Sequence, residues 1–178
     1  MKTRSVLTIA FAVLVVVVTA VWIRSLRPPE SPSGSLAFLS AAPTLPIYDR
    51  SGKKIDLTQE KGHLTVFHFW ATWCPPCVEE IPALSRFWDR YRNRSDIVLY
   101  TISVDKDWST IDAFNKKNPN DLPVYRDPNA VTAQRFGTTQ YPETYIVNKA
   151  GRVIYRVQGG VEWNDQSVQQ RIEQLLNS

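Results

Sequence analysis

Leu64-Thr65-Val66-Phe67-His68-Phe69-Trp70-Ala71-Thr72-Trp73-Cys74-Pro75-Pro76-Cys77 contains both cysteines of the chain and a change from one secondary structure to another. Leu64 to Trp70 is a continuous β-branched and aromatic run of strand length, as in an interior strand covered on both faces. Pro75 and Pro76 follow at once, and proline suits the first turn of a helix, where its missing N–H would have no partner anyway. Beyond them Cys77, Ile81, Leu84, Trp88 and Tyr91 recur at helical spacing and form one apolar stripe. The chain therefore passes from a buried strand into an amphipathic helix at Cys74.

The same reading extends in both directions. Residues 97–104 form a second buried strand, 108–117 a helix, 122–126 a short strand and 128–136 a short helix. Residues 143–147 and 152–157 then flank Asn148-Lys149-Ala150-Gly151, a hairpin signal, and 165–177 make a last helix with Val168, Ile172, Leu175 and Leu176 on one face. Upstream, residues 45–57 turn at Asp49-Arg50-Ser51-Gly52 and add an amino-terminal hairpin. This order predicts one α/β domain over residues 44–178, with a mixed central sheet flanked by helices.

The 178 residues carry 21 Lys and Arg against 17 Asp and Glu, a formal charge of +4. Lys2, Arg4, Arg24 and Arg27 supply that excess, and beyond Arg27 basic and acidic side chains are equal in number. Nucleic-acid binding needs a basic excess concentrated on one face, so no nucleic-acid partner is expected. Two cysteines also exclude a disulfide-stapled scaffold.

Val6 to Ile23 is apolar except for Thr8 and Thr19, and at ~1.5 Å per residue it spans roughly 27 Å, close to the hydrocarbon thickness of a bilayer. A signal peptide is the competing reading, because Lys2 and Arg4 precede the run and Val18-Thr19-Ala20 could be cleaved. The run continues through Val21-Trp22-Ile23, and Trp22 with Arg24 and Arg27 resembles an interfacial edge, which favours a single uncleaved transmembrane helix within residues 1–26. Positive charges are nearly balanced across it, so they orient it only weakly. Residues 27–43, rich in Pro, Ser and Ala, read as a flexible tether.

Cys74 occupies the start of the predicted helix, where unpaired N–H groups and the positive end of the helix dipole stabilise a thiolate. Cys77 lies on the apolar stripe and should be more buried, with a higher pKa. Two cysteines so placed suit two-step exchange: Cys74 attacks a disulfide to form a mixed disulfide, and Cys77 then attacks Cys74 and releases the reduced product. Pro75 and Pro76 stiffen the redox loop and remove two N–H donors near the sulfurs.

Phe69-Trp70-Ala71-Thr72-Trp73-Cys74-Pro75-Pro76-Cys77, followed by Glu80-Ile81-Pro82 and by Pro142-Glu143-Thr144, resembles the thioredoxin superfamily, and within it the membrane-anchored branch of TlpA, ResA and CcmG proteins. The resemblance covers residues 43–178 and implies a thioredoxin-like fold whose Pro142 is cis and faces the active-site disulfide. It implies that the backbone of Tyr141 pairs with an extended substrate segment, with Trp73 beside the cysteines. It also implies a domain on the periplasmic or extracytoplasmic side of the cytoplasmic membrane that reduces disulfides of exported proteins, often in cytochrome c maturation. Electrons then come from a transmembrane thiol carrier of the DsbD or CcdA type. No cofactor is expected beyond the Cys74–Cys77 pair itself, and no metal.

Two residues depart from the family pattern. His68 stands where thioredoxins carry an acidic residue; it reads first as a buried histidine hydrogen-bonded to the backbone, and alternatively as a proton relay near Cys77. Tyr141 is bulky where the family often has a smaller residue, which should narrow or redirect substrate choice. Glu80, one turn beyond Cys77, matches the buried glutamate of the anchored reductases and is the better acid-base candidate, whereas Glu79 points away. Trp88, Trp108 and Trp163 read as packing residues.

Other chemistries fit less well. Zinc binding by His63, His68, Cys74 and Cys77 would need His63 to reach across a strand's length, and a peroxidase of the peroxiredoxin type needs Thr where this chain has Ala71. A disulfide oxidase of the same fold and a non-enzymatic client-binding adaptor remain as alternatives, because the motif does not set the direction of exchange.

Overall fold

The computed structural model describes residues 46–57 and 61–178. The predicted anchor, the tether and residues 44–45 lie outside the described residues. Among the described residues no helix is long and apolar enough to cross a membrane.

The strands are β1 (Pro46–Tyr48), β2 (Lys54–Asp56), β3 (Leu64–Trp70), β4 (Ile97–Ser103), β5 (Val124–Arg126), β6 (Glu143–Val147) and β7 (Val153–Gln158). They form one mixed sheet in the order β2-β1-β5-β4-β3-β6-β7. The helices are α1 (Pro75–Tyr91), α2 (Trp108–Lys117), α3 (Val131–Arg135) and α4 (Gln166–Leu176). β3 is central, parallel to β4 and antiparallel to β6, and every one of its residues is buried. Its alternation divides the core. Phe67 and Phe69 meet Tyr100, Ile102, Phe136 and Tyr145 on one face, while Leu64 and Val66 meet Leu84 and Phe87 of α1 and Ile172 and Leu176 of α4.

Turn chemistry closes both hairpins where the sequence places them. Asn148 Oδ1 accepts the amides of Ala150 and Arg152 between β6 and β7, and Asp49 Oδ1 accepts those of Ser51 and Lys53 between β1 and β2. Gly151 and Gly52 supply the left-handed backbone each turn requires, at φ 76° and 82°.

Three expectations are corrected. The short helix starts at Val131, three residues later than predicted, because residues 127–130 form a turn: the Ala130 amide donates to the Asp127 carbonyl and Ala130 is left-handed at φ 51°. The strand predicted from residue 122 starts at Val124; Leu122 is bonded instead to the Asn120 side chain, and Pro123 has no amide to pair. Within α1 the next buried aromatic after Leu84 is Phe87, a position the apolar stripe leaves out; it packs between Tyr91 and Trp163 at ring distances of 4.8 and 4.7 Å, while half-buried Trp88 packs against the same cluster.

Candidate active site

The loop from β3 into α1 is fixed from below. Asp105, buried just past β4, accepts from the amide and the hydroxyl of Thr72, each at 2.9 Å, and from the Ser103 hydroxyl at 2.7 Å. Trp73, next in the chain, is thereby held outward and is 65% exposed. Cys74 is the N-cap of α1, with Pro75 and Pro76 at the first two helical positions. Since neither proline has an N–H, Cys77 provides the first free amide of the helix, and it donates to Cys74 Sγ at 3.3 Å. Cys74 and Cys77 form a disulfide with Cα atoms 5.3 Å apart. Cys77 is wholly buried, whereas Cys74 keeps 5% exposure.

The Tyr141–Pro142 bond is cis, and Pro142 is buried. Tyr141 packs against the cluster of Trp70, Ala71, Cys74, Cys77 and Ile81, and its ring meets Trp73 edge-on at 6.0 Å. The turn is anchored behind the disulfide. Buried Glu143 accepts from Arg156 Nε at 2.5 Å, and the same guanidinium donates to the Gly137 carbonyl at 2.6 Å. The structure therefore gathers Trp73, Cys74, Cys77, Tyr141 and Pro142 at the carboxyl end of β3.

Glu80 is buried one turn beyond Cys77. Its Oε1 accepts the Val161 amide at 2.9 Å and the Trp163 indole N–H, while Oε2 is buried without a hydrogen-bond partner. Burial pushes its pKa up to about 7, despite the two donors that favour the carboxylate. Trp163, read from sequence as packing alone, is both packing and the indole donor to Glu80. No sequence period marks it, because it lies in the irregular loop before α4.

His68 is buried as expected, but its partner is a side chain: Nδ1 lies 3.0 Å from Thr144 Oγ1, the residue opposite it on β6. Burial takes its pKa down to about 3, so it is neutral near physiological pH. Its ring meets the edge of Trp163 at 6.5 Å, and among the described residues no hydrogen bond joins it to Cys77 or Glu80.

A two-cysteine loop at a helix start, facing a cis-proline turn on a mixed sheet, can exchange disulfides, and it defines a thiol-disulfide oxidoreductase with a thioredoxin-like fold. The chain belongs to the AhpC/TSA family, whose model matches residues 39–156. It is 30% identical over 120 residues to the thiol-disulfide oxidoreductase ResA of Bacillus thuringiensis (strain Al Hakam), covering 66% of this chain and 68% of that one. With ResA of Bacillus subtilis (strain 168) it shares 25% identity over 159 residues, 89% of this chain and 88% of the relative. A crystal structure of a thiol:disulfide interchange protein of the thioredoxin family from Chlorobium tepidum TLS matches 76% of this chain and 94% of its own with a TM-score of 0.62. At 22% identity that likeness shows the fold.

Proposed function

We propose that this oxidoreductase works as a disulfide reductase on exported proteins, tethered through residues 1–43 to the outer side of the cytoplasmic membrane and recharged by a transmembrane thiol carrier of the DsbD or CcdA type. The observation that carries the exchange chemistry is Glu80, a carboxyl buried one turn beyond the inner cysteine with a pKa of about 7; the reductase direction rests on the likeness to the ResA relatives. In the reduced protein Cys74 attacks the client disulfide while Trp73 and the Tyr141–Pro142 turn receive the client backbone. Cys77 then gives its proton to Glu80 and attacks Cys74. No bound cofactor is needed, since the electrons reside on the two sulfurs. Apocytochrome c and its maturation partners are fitting clients because their thiols must be kept reduced outside the cell.

The hydrogen bond from the Cys77 amide to Cys74 Sγ supports a second reading. A donor that also stabilises the Cys74 thiolate favours the reduced protein and makes the pair a stronger oxidant. The redox state of the cysteines in cells separates the two. A reductase should be oxidised in cells lacking the thiol carrier and reduced when it is present; a pair that stays oxidised with the carrier present points to the oxidase, and one that stays reduced without it contradicts the carrier assignment.

In vitro, the reduced full-length protein in detergent can be mixed with 5,5′-dithiobis(2-nitrobenzoate), which releases one thiol on attack by Cys74 and a second on attack by Cys77. Cys74→Ser should abolish the two-step release and Cys77→Ser the second step. Glu80→Gln should slow that second step about a hundredfold or more, the lower end of what a general base contributes. Unchanged second-step kinetics would remove Glu80 from the chemistry.

A further inference from the structure

The loop joining β7 to α4 touches both halves of the site. The Gly159 amide donates to the Pro142 carbonyl at 2.9 Å, holding the cis-proline turn. Two residues on, the Val161 amide donates to Glu80 Oε1 at 2.9 Å, and the Trp163 indole N–H donates to the same oxygen. Trp163 is 1% exposed, and its ring is packed against Phe87 and the edge of His68. Both donors thus converge on Oε1. Oε2 is left buried and unpartnered beside Gly160, 3.8 Å from where a Cβ on that glycine would stand.

We propose that Trp163 is a positioning residue for disulfide exchange: with the Val161 amide it pins one oxygen of Glu80, leaving the other as the oxygen that takes the proton of Cys77. This rests on the reading of Glu80 as proton acceptor. In the step concerned, the Cys77 thiol proton passes to Oε2 and a Cys77–Cys74 bond forms. The Cys74–client bond breaks with its electron pair on the client sulfur. The protein dithiol is oxidised by two electrons and the client disulfide reduced. Cys77 on α1, His68 on β3 and Glu162 within the loop are titratable neighbours of the pair, Arg86 of α1 donates to the adjacent Asn164, and the Glu162 charge raises the Glu80 pKa. From α4 the uncharged Gln169 donates to the Trp163 carbonyl, and Ile172 and Leu176 share its core cluster.

Trp163→Phe keeps an aromatic ring against Phe87 and removes the donor. Because the indole bond favours the carboxylate, its loss should move the acid limb of the second thiol-release phase up by about one pH unit, the size of one charge-assisted hydrogen bond, and slow that phase about fivefold at pH 7 and about tenfold on the acid side. The first phase should not change, and Trp163→Phe should add nothing in a Glu80→Gln background. An equal slowing of both phases, or the same slowing in the Glu80→Gln background, marks a packing effect and overturns the proposal. A slow Glu80→Gln beside an unaltered Trp163→Phe overturns it alone, whereas an unaltered Glu80→Gln overturns the acceptor reading and this proposal together. A measurement on the unsubstituted full chain in detergent guards against misfolding of the variant. The ¹⁵N-indole resonance of Trp163, assigned through its contacts with Phe87, should titrate near neutral pH and lose that response in Glu80→Gln; a pH-independent resonance is the contrary result.

Discussion

His68 and Glu80 occupy the same side of β3 and respond to burial in opposite directions. His68 falls from 6.5 to about 3, so the unfolded chain binds the extra proton, and the stability it contributes above pH 6.5 is lost as pH falls toward 3. Glu80 rises from 4.5 to about 7, so its contribution is present below pH 4.5 and is lost as pH rises through 7. Between pH 4.5 and 6.5 the two slopes oppose one another. Glu80→Gln removes one of them, and relative to the parent its stability should rise with pH across that window by about 1.4 kcal/mol per unit. Urea midpoints of the full chain at half-unit intervals measure this; a level difference between the two proteins refutes it. Glu80 and the cysteines could be found in sequence because helical spacing puts Cys77 and Glu80 on neighbouring positions of one face. The Thr144 partner of His68 and the Trp163 partner of Glu80 could not, since both contacts depend on strand register and on a loop without periodicity.

Among the elements, β7 acts on the site without containing any of its chemistry. Its Arg156 joins Glu143, directly after the cis-proline, to the Gly137 carbonyl at the other end of the turn. Arg156→Met would leave a buried carboxylate without its cation, and such losses cost about 3 kcal/mol. Denaturant unfolding should show that loss, with a smaller one for Arg156→Lys, and the loosened Tyr141 turn should raise the KM for a peptide disulfide more than it lowers kcat. Asp105 serves the opposite loop, and Asp105→Ala, by freeing the amide and hydroxyl of Thr72, should raise KM through Trp73. An unchanged KM in a stably folded Asp105→Ala would dissociate the Thr72 clamp from client capture. The hairpins were legible because Asn148 and Asp49 impose turns through their own side chains. The start of α3 was not, because Asp127 accepts the Ala133 amide from inside the domain and so fixes a turn where sequence spacing still permits helix.

For the whole molecule, the near-neutral charge beyond Arg27 bears on how clients arrive. Without a strong field, capture of an uncharged peptide disulfide should change less than about twofold between low and physiological salt, whereas steered association falls steeply. A steep salt dependence of kcat/KM would reveal a local charged surface that the balanced composition conceals. The strand-to-helix change at Cys74 and the cis-proline position follow from short contiguous stretches read with the resemblance, and the mixed sheet follows from the order of strands, helices and hairpin along the chain. How the β7–α4 loop connects the cis-proline to Glu80 is encoded nowhere locally.

The burial of Cys77 behind Cys74 has a further consequence for traffic through the site. A client sulfur can approach at only one point, so arrival and departure share a single doorway, and an unsuitable client, once attached, blocks the next. Cys77 then acts as a timer: its rate of attack sets how long any client may remain, and therefore how many slow-fitting clients the protein can release without help from a second thiol.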